Sequence, residues 1–146
     1  MAYSGKYRPK DPKKYVGNPT RIYYRSLWER KFMVYCDTNE SILEWGSEEV
    51  IIPYVSPFDG RVHRYFPDFY IKVRQTDGKL KKFIIEIKPK NQCAPPTKTP
   101  KRKTKKWYGE VKRWGVNEAK WKSAKSWCKD NGMDFQILTE DHLDIR

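Results

Sequence analysis

Tyr65-Phe66-Pro67-Asp68-Phe69-Tyr70-Ile71-Lys72-Val73-Arg74-Gln75-Thr76-Asp77-Gly78-Lys79-Leu80-Lys81-Lys82-Phe83-Ile84-Ile85-Glu86-Ile87-Lys88 is the stretch on which the reading turns. Its two halves are rich in aromatic and β-branched residues, and Asp77-Gly78 between them marks a tight turn. Strands are expected at about 62–73 and 80–88. Side chains alternate along a strand, so Glu86 and Lys88 share one face and Ile85 and Ile87 take the other. A two-residue Asp77-Gly78 loop would set Asp68 against Ile87 and send the two carboxylates to opposite faces. A three-residue loop, Thr76-Asp77-Gly78, sets Asp68 directly against Glu86. That loop wants a left-handed third residue, which Gly78 supplies without strain. The second register is expected.

Carboxylates flanked by Ile and Phe are costly to bury unless they are paired or bind a cation. Two facing carboxylates repel each other, and a divalent ion between them removes the conflict. An all-oxygen donor set suits Mg²⁺, with Mn²⁺ able to substitute. Lys88 on the same face would offset negative charge developing on a phosphate, and the Ile87 carbonyl is a further candidate ligand. Together these residues point to metal-assisted phosphodiester hydrolysis. The blander alternative is an exposed strand with a common Pro-Asp turn and a Glu86/Lys88 surface pair worth little.

Outward from this hairpin, a helix is expected at about 27–37. Ser26 with Glu29 three residues on makes a capping-box pattern. A first strand is expected at about 49–55. Residues 89–106 read as a long Pro- and Lys-rich loop, with a short helical stretch starting near Lys105. A better helix follows at about 116–131, with Asn117 as its cap and Gly132 past its end. A last strand at about 135–138 comes after a helix crossover and is placed to run parallel to one of the first three. The tail from Glu140 is expected to add a helical turn. The class is α/β, a mixed sheet flanked by helices in the order αβββαβ.

Of a net charge of +13, residues 1–25 carry seven Lys or Arg against one acid, and residues 88–106 carry eight against none. Elsewhere sixteen basic and seventeen acidic residues nearly balance. Excess charge gathered in two segments favours a polyanion partner. Arg21, Arg25, Lys90, Lys98, Lys101, Arg102, Lys103, Lys105 and Lys106 are the candidate DNA contacts, directed at phosphates because no base-reading motif is visible. Residues 1–25 are read as a basic N-terminal arm, and 26–146 as the catalytic domain. Three scattered cysteines and two isolated histidines leave a zinc site or disulfide framework unsupported. No apolar run is long enough to span a membrane, and the N-terminus lacks the apolar core of a secretory signal.

Pro67-Asp68 followed at a distance by Glu86-Ile87-Lys88 resembles the motif of the PD-(D/E)XK nucleases, whose restriction-endonuclease-like core has the αβββαβ order. That resemblance implies metal ligation by Asp68 and Glu86 and catalytic assistance by Lys88. It also implies an acid on the first helix that completes the catalytic site as a further metal ligand, and Glu29 stands there, with the capping-box role as its alternative. Glu48 is an alternative acid just before the expected first strand. Met1-Ala2-Tyr3-Ser4-Gly5-Lys6, Tyr24-Arg25-Ser26 with Trp28-Glu29, Trp45-Gly46-Ser47-Glu48, Ile52-Pro53-Tyr54, Ile85-Glu86-Ile87-Lys88-Pro89-Lys90, Lys120-Trp121-Lys122 and Ile137-Leu138-Thr139-Glu140-Asp141 are together similar to the head completion nucleases of T4-type tailed bacteriophages. A more distant likeness is to the N-terminal nuclease domain of TnsA transposon endonucleases. The first likeness implies action on double-stranded DNA at the filled head. Portal or head proteins would be the partners, and the host bacterial cytoplasm or the virion the setting. Rival readings are a non-catalytic DNA-binding plug and a transposition nuclease working with a transposase.

Overall fold

The computed structural model describes residues 3–96 and 99–144. Its helices are α1 (Leu27–Thr38) and α2 (Lys105–Asp130), and its strands are β1 (Gly5–Lys6), β2 (Tyr23–Tyr24), β3 (Ile42–Ser47), β4 (Ile52–Val55), β5 (Val62–Tyr65), β6 (Phe69–Arg74), β7 (Leu80–Ile87) and β8 (Asp134–Leu138). The central sheet has the order β3-β6-β7-β8, antiparallel except for the parallel pair β7/β8. Hairpin β4/β5 forms a separate two-stranded sheet, as does the pair β1/β2.

The register between β6 and β7 pairs Phe69 with Ile85 and Arg74 with Leu80, as the three-residue loop requires. Gly78 closes that loop at φ +83°, donating its N–H to the Gln75 carbonyl. α1 begins as its pattern predicts, with Ser26 at the N-cap accepting a 3.2 Å bond from the Glu29 N–H. The last strand does run parallel, and it lies beside β7.

Other expectations fail for physical reasons. The first strand of the sheet is Ile42–Ser47 rather than 49–55, and residues 52–55 go to the separate hairpin instead. The expected strand at 62–73 is broken in two around Pro67, which cannot donate to a ladder. The loop after Lys88 ends at Thr104, so Lys105 and Lys106 form the first turn of α2 and are not loop residues. Thr104 caps that helix by accepting from the Trp107 N–H at 3.2 Å. Asn117 is therefore no cap, and sits buried in mid-helix. The tail after β8, in contrast, makes the expected single helical turn, the Thr139 carbonyl accepting from the His142 N–H at 3.1 Å and the Leu143 N–H at 3.2 Å.

Cores lie on both faces of the sheet. On one face α1 packs Phe32, Met33 and Cys36 against Trp45, Phe69 and Ile85. Tyr7, Tyr15 and Ile22 from residues 1–25 join the same core. Three donors fasten that N-terminal segment to buried Asp37: the Tyr7 hydroxyl at 2.6 Å, the Lys10 N–H at 2.7 Å and the Asp11 N–H at 3.0 Å. On the other face Trp121, Ala124 and Cys128 of α2 meet Ile84, Tyr70 and the hairpin residues Ile52, Tyr54 and Tyr65. Phe58 of the hairpin loop packs over Gly115 of α2, where an added Cβ would already touch it at 3.4 Å. The hairpin is thereby clasped to α2, along one edge of the cleft described next.

Candidate active site

Ile84 belongs to the core on the α2 face and Ile85 to the core on the α1 face. Alternation then sends Glu86 and Lys88 to the α2 face, and the register brings Asp68 to the same face opposite Glu86. There the sheet, hairpin β4/β5 and α2 enclose a cleft of about 550 Å³ lined by Asp68, Glu86 and Lys88. The sequence-predicted acid–acid–lysine set is thus gathered in one cleft.

Burial decides the electrostatics. Glu86 is 6% exposed at the cleft floor. The Asp68 carboxyl is held well above the usual carboxylate range, by burial first and next by the charge of Glu86 beside it. The Ile87 N–H opposes that shift, donating to Asp68 Oδ2 at 2.7 Å. On the backbone side, the Asp68 carbonyl accepts from the Glu48 N–H at 3.1 Å, which fixes the break between β5 and β6. Two carboxylates crowded with so few donors are a donor set in want of a cation, and all-oxygen ligands of this kind match Mg²⁺ or Mn²⁺. The residues present fit such an ion.

Glu29 stands at the start of α1 and does the work of a cap. Its Oε2 accepts from the Arg25 N–H at 3.1 Å and from the Ser26 hydroxyl at 3.2 Å. Burial raises its carboxyl, while those two hydrogen bonds lower it. Its charge still reaches Asp68, as one cause of that residue's raised value. Among the described residues no three His, Cys, Asp or Glu side chains close on one point, so Glu29 stands back from the Asp68/Glu86 pair. Glu48, the alternative acid, does line the cleft. It turns the chain out of β3 at φ +54° and is paired with Arg25 at 3.3 Å.

The candidate DNA contacts are scattered. Arg25 lines the cleft, and Arg21 is exposed nearby in sequence. Lys90 is tied to the residues after β8, its Nζ 3.1 Å from Asp141 and its N–H donating to Glu140 at 2.7 Å. Lys101, Arg102, Lys105 and Lys106 are exposed, and Lys103 lies 5.6 Å over the Trp107 ring. Lys98 lies outside the described residues. Sequence reasoning missed Arg64, Tyr65 and Lys120, which share the cleft with the carboxylates. The Tyr65 hydroxyl and the Trp121 indole N–H are both buried; neither makes a well-aligned hydrogen bond among the described residues, but the hydroxyl lies within reach of both the Glu86 carboxylate and that N–H. The hydroxyl lies beside Glu86, and burial followed by the Glu86 and Asp68 charges pushes its pKa up.

A comparison with known proteins places this arrangement. The sequence profile of the TnsA-like endonuclease N-terminal family matches residues 39–140. The chain belongs to that family. Its mixed sheet in αβββαβ order is the family's restriction-endonuclease-like fold. The match takes in every strand of the central sheet and with them Asp68, Glu86 and Lys88, while Glu29 lies before it. The chain is also similar to the head completion nuclease of Enterobacteria phage T4, at 44% identity over 98% of this chain and 95% of that protein. This likeness runs through α1 and the N-terminal segment as well, so Glu29 and its cap lie within it.

Proposed function

We propose that this protein is a metal-dependent DNA endonuclease that processes DNA at the filled head during phage assembly. The observation that carries the catalytic part is the Asp68/Glu86 carboxylate pair with Lys88 in one cleft. The setting is carried by the likeness to a protein named head completion nuclease. Portal or head proteins are the proposed partners, and the host cytoplasm or the virion the proposed location. Among the described residues no helix is long and apolar enough to cross a membrane.

Asp68 and Glu86 would hold a Mg²⁺ or Mn²⁺ ion. When bound, such an ion supplies Lewis-acid polarisation of a phosphoryl oxygen and an acidified water. The Ile87 N–H fixes the Asp68 carboxylate from behind, so its orientation does not depend on solvent. Lys88 directly follows β7, and its N–H is tied to the Leu138 carbonyl at 3.0 Å. That tie positions its ammonium to offset charge gathering on the phosphate. Glu29 acts at one remove. Mg²⁺ keeps several waters, and the Glu29 Oε1, which the cap leaves unused among the described residues, would hold one. Arg21, the exposed residues Lys101–Lys106 and the neighbouring Lys98 would meet phosphates farther along the duplex.

The test is cleavage of linear and circular double-stranded DNA with Mg²⁺, with Mn²⁺ and with EDTA, beside the Glu86→Gln variant. Cutting that needs the metal and vanishes in the variant is expected. Binding without cutting under any metal would overturn the reading and favour a DNA-holding plug.

A further inference from the structure

The cleft holds more positive charge than hydrolysis of a single phosphate requires. Arg25, Arg64, Lys88 and Lys120 all line it. Arg25 is neutralised by Glu48. Arg64 and Lys120 have no carboxylate partner among the described residues. Instead each rests on aromatic rings. The Arg64 guanidinium lies 5.9 Å over the Phe66 ring. The Lys120 ammonium lies 5.8 Å from the Tyr54 ring and 5.5 Å from the Tyr65 ring. A ring face holds a cation without quenching its charge, and it removes side-chain freedom before any ligand arrives. The three supporting rings belong to β4, to β5 and to the residue after β5, which explains why a separate hairpin is clasped to α2 at this edge.

We infer that Arg64 and Lys120 form a phosphate subsite, gripping backbone phosphates of the bound strand beside the one that is cut. This rests on the nuclease reading above and adds its substrate geometry. The strand continues across the cleft past the carboxylates toward α2, so the preferred ligand is an internal stretch of polynucleotide and not a terminal nucleotide.

The test reads binding separately from cutting. In the Glu86→Gln protein, a labelled short duplex is titrated by fluorescence anisotropy over a salt series, with Arg64→Gln or Lys120→Met added. Each change is expected to weaken binding about threefold or more and to flatten log K against log salt by ~0.9, one phosphate's worth. Lys120→Arg is expected to keep the parent slope, and thermal melting confirms that each variant is folded. Should Lys120→Met melt early, Lys120→Gln and the Arg64 variants carry the measurement. Unchanged slopes in folded variants would overturn the subsite even if the parent cuts DNA. Flattened slopes with a parent that never cuts would sink the nuclease reading and leave the subsite standing.

Discussion

The Ile87 N–H donates to Asp68 Oδ2 at 2.7 Å, so the residue between Glu86 and Lys88 is the one that holds the opposing carboxylate. The three motif residues are therefore coupled through backbone as well as through the cleft they share. That coupling does not remove the repulsion between the acids, and the first prediction concerns its cost.

Asp68 has a higher pKa folded than unfolded, because of burial and then of Glu86. Such a group binds its proton more tightly in the folded state, so ionising it costs stability. The cost is absent below the ordinary Asp value of about 4 and grows as pH rises toward the folded-state value. Without metal, Asp68→Asn is expected to melt higher than the parent at neutral pH. The gap should close as pH falls toward 4, and cutting should be lost. A gap independent of pH in paired melting curves would contradict this account.

Metal should reverse the same penalty. At a Mg²⁺ or Mn²⁺ concentration about 100 times its dissociation constant, binding stabilises the folded state by roughly 2.7 kcal/mol. Differential scanning fluorimetry should show this rise for the parent and not for Asp68→Asn or Glu86→Gln. It should be larger at pH 8 than at pH 5, where protons compete for the carboxylates.

Ser26 and Glu29 allow capping to be separated from catalysis. Ser26→Ala removes an acceptor for the Glu29 N–H and should cost about 1 kcal/mol. Glu29→Gln keeps an oxygen for the Arg25 N–H, so its melting temperature should stay near that of the parent. Its cutting rate should fall roughly 10–100-fold, the usual effect of losing an outer-shell partner of a metal. Parent-like cutting by Glu29→Gln would reduce the residue to its cap.

Tyr65→Phe removes a buried hydroxyl set within reach of the Glu86 carboxylate and the Trp121 indole N–H and keeps the ring under Lys120. A hydrogen bond to a charged group contributes about 1.5–3 kcal/mol, so the variant should melt below the parent. A melting temperature at or above that of the parent would mean that the hydroxyl is unpaired in solution.

What the sequence disclosed followed from local rules. The β6/β7 register came from one turn glycine and the two-residue period of a strand, and the α1 cap from two residues three apart. The missed strand β3 reads Ile-Leu-Glu-Trp-Gly-Ser, a mixed run whose place is fixed by Trp45 packing between Tyr7 and Tyr15, at 5.9 and 4.8 Å. Those partners are distant in sequence. The continuity of α2 was hidden by Gly109 and Gly115, the second of which makes room for Phe58. Arg64 carries no motif, Lys120 stood out only within the Lys120-Trp121-Lys122 likeness, and only the fold brings them to the carboxylates.

Strand β7 also sets an order of assembly. Its turn to β6 is three residues long, so Asp68 and Glu86 meet through a local contact of the kind that forms early in folding. Lys88 is fixed by the carbonyl of Leu138 on β8, which reaches β7 only after the whole of α2 has been laid down. The acid pair is thus closed by a contact local in sequence, whereas Lys88 and Lys120 are held by contacts that span α2, so the complete site depends on the long-range half of the fold.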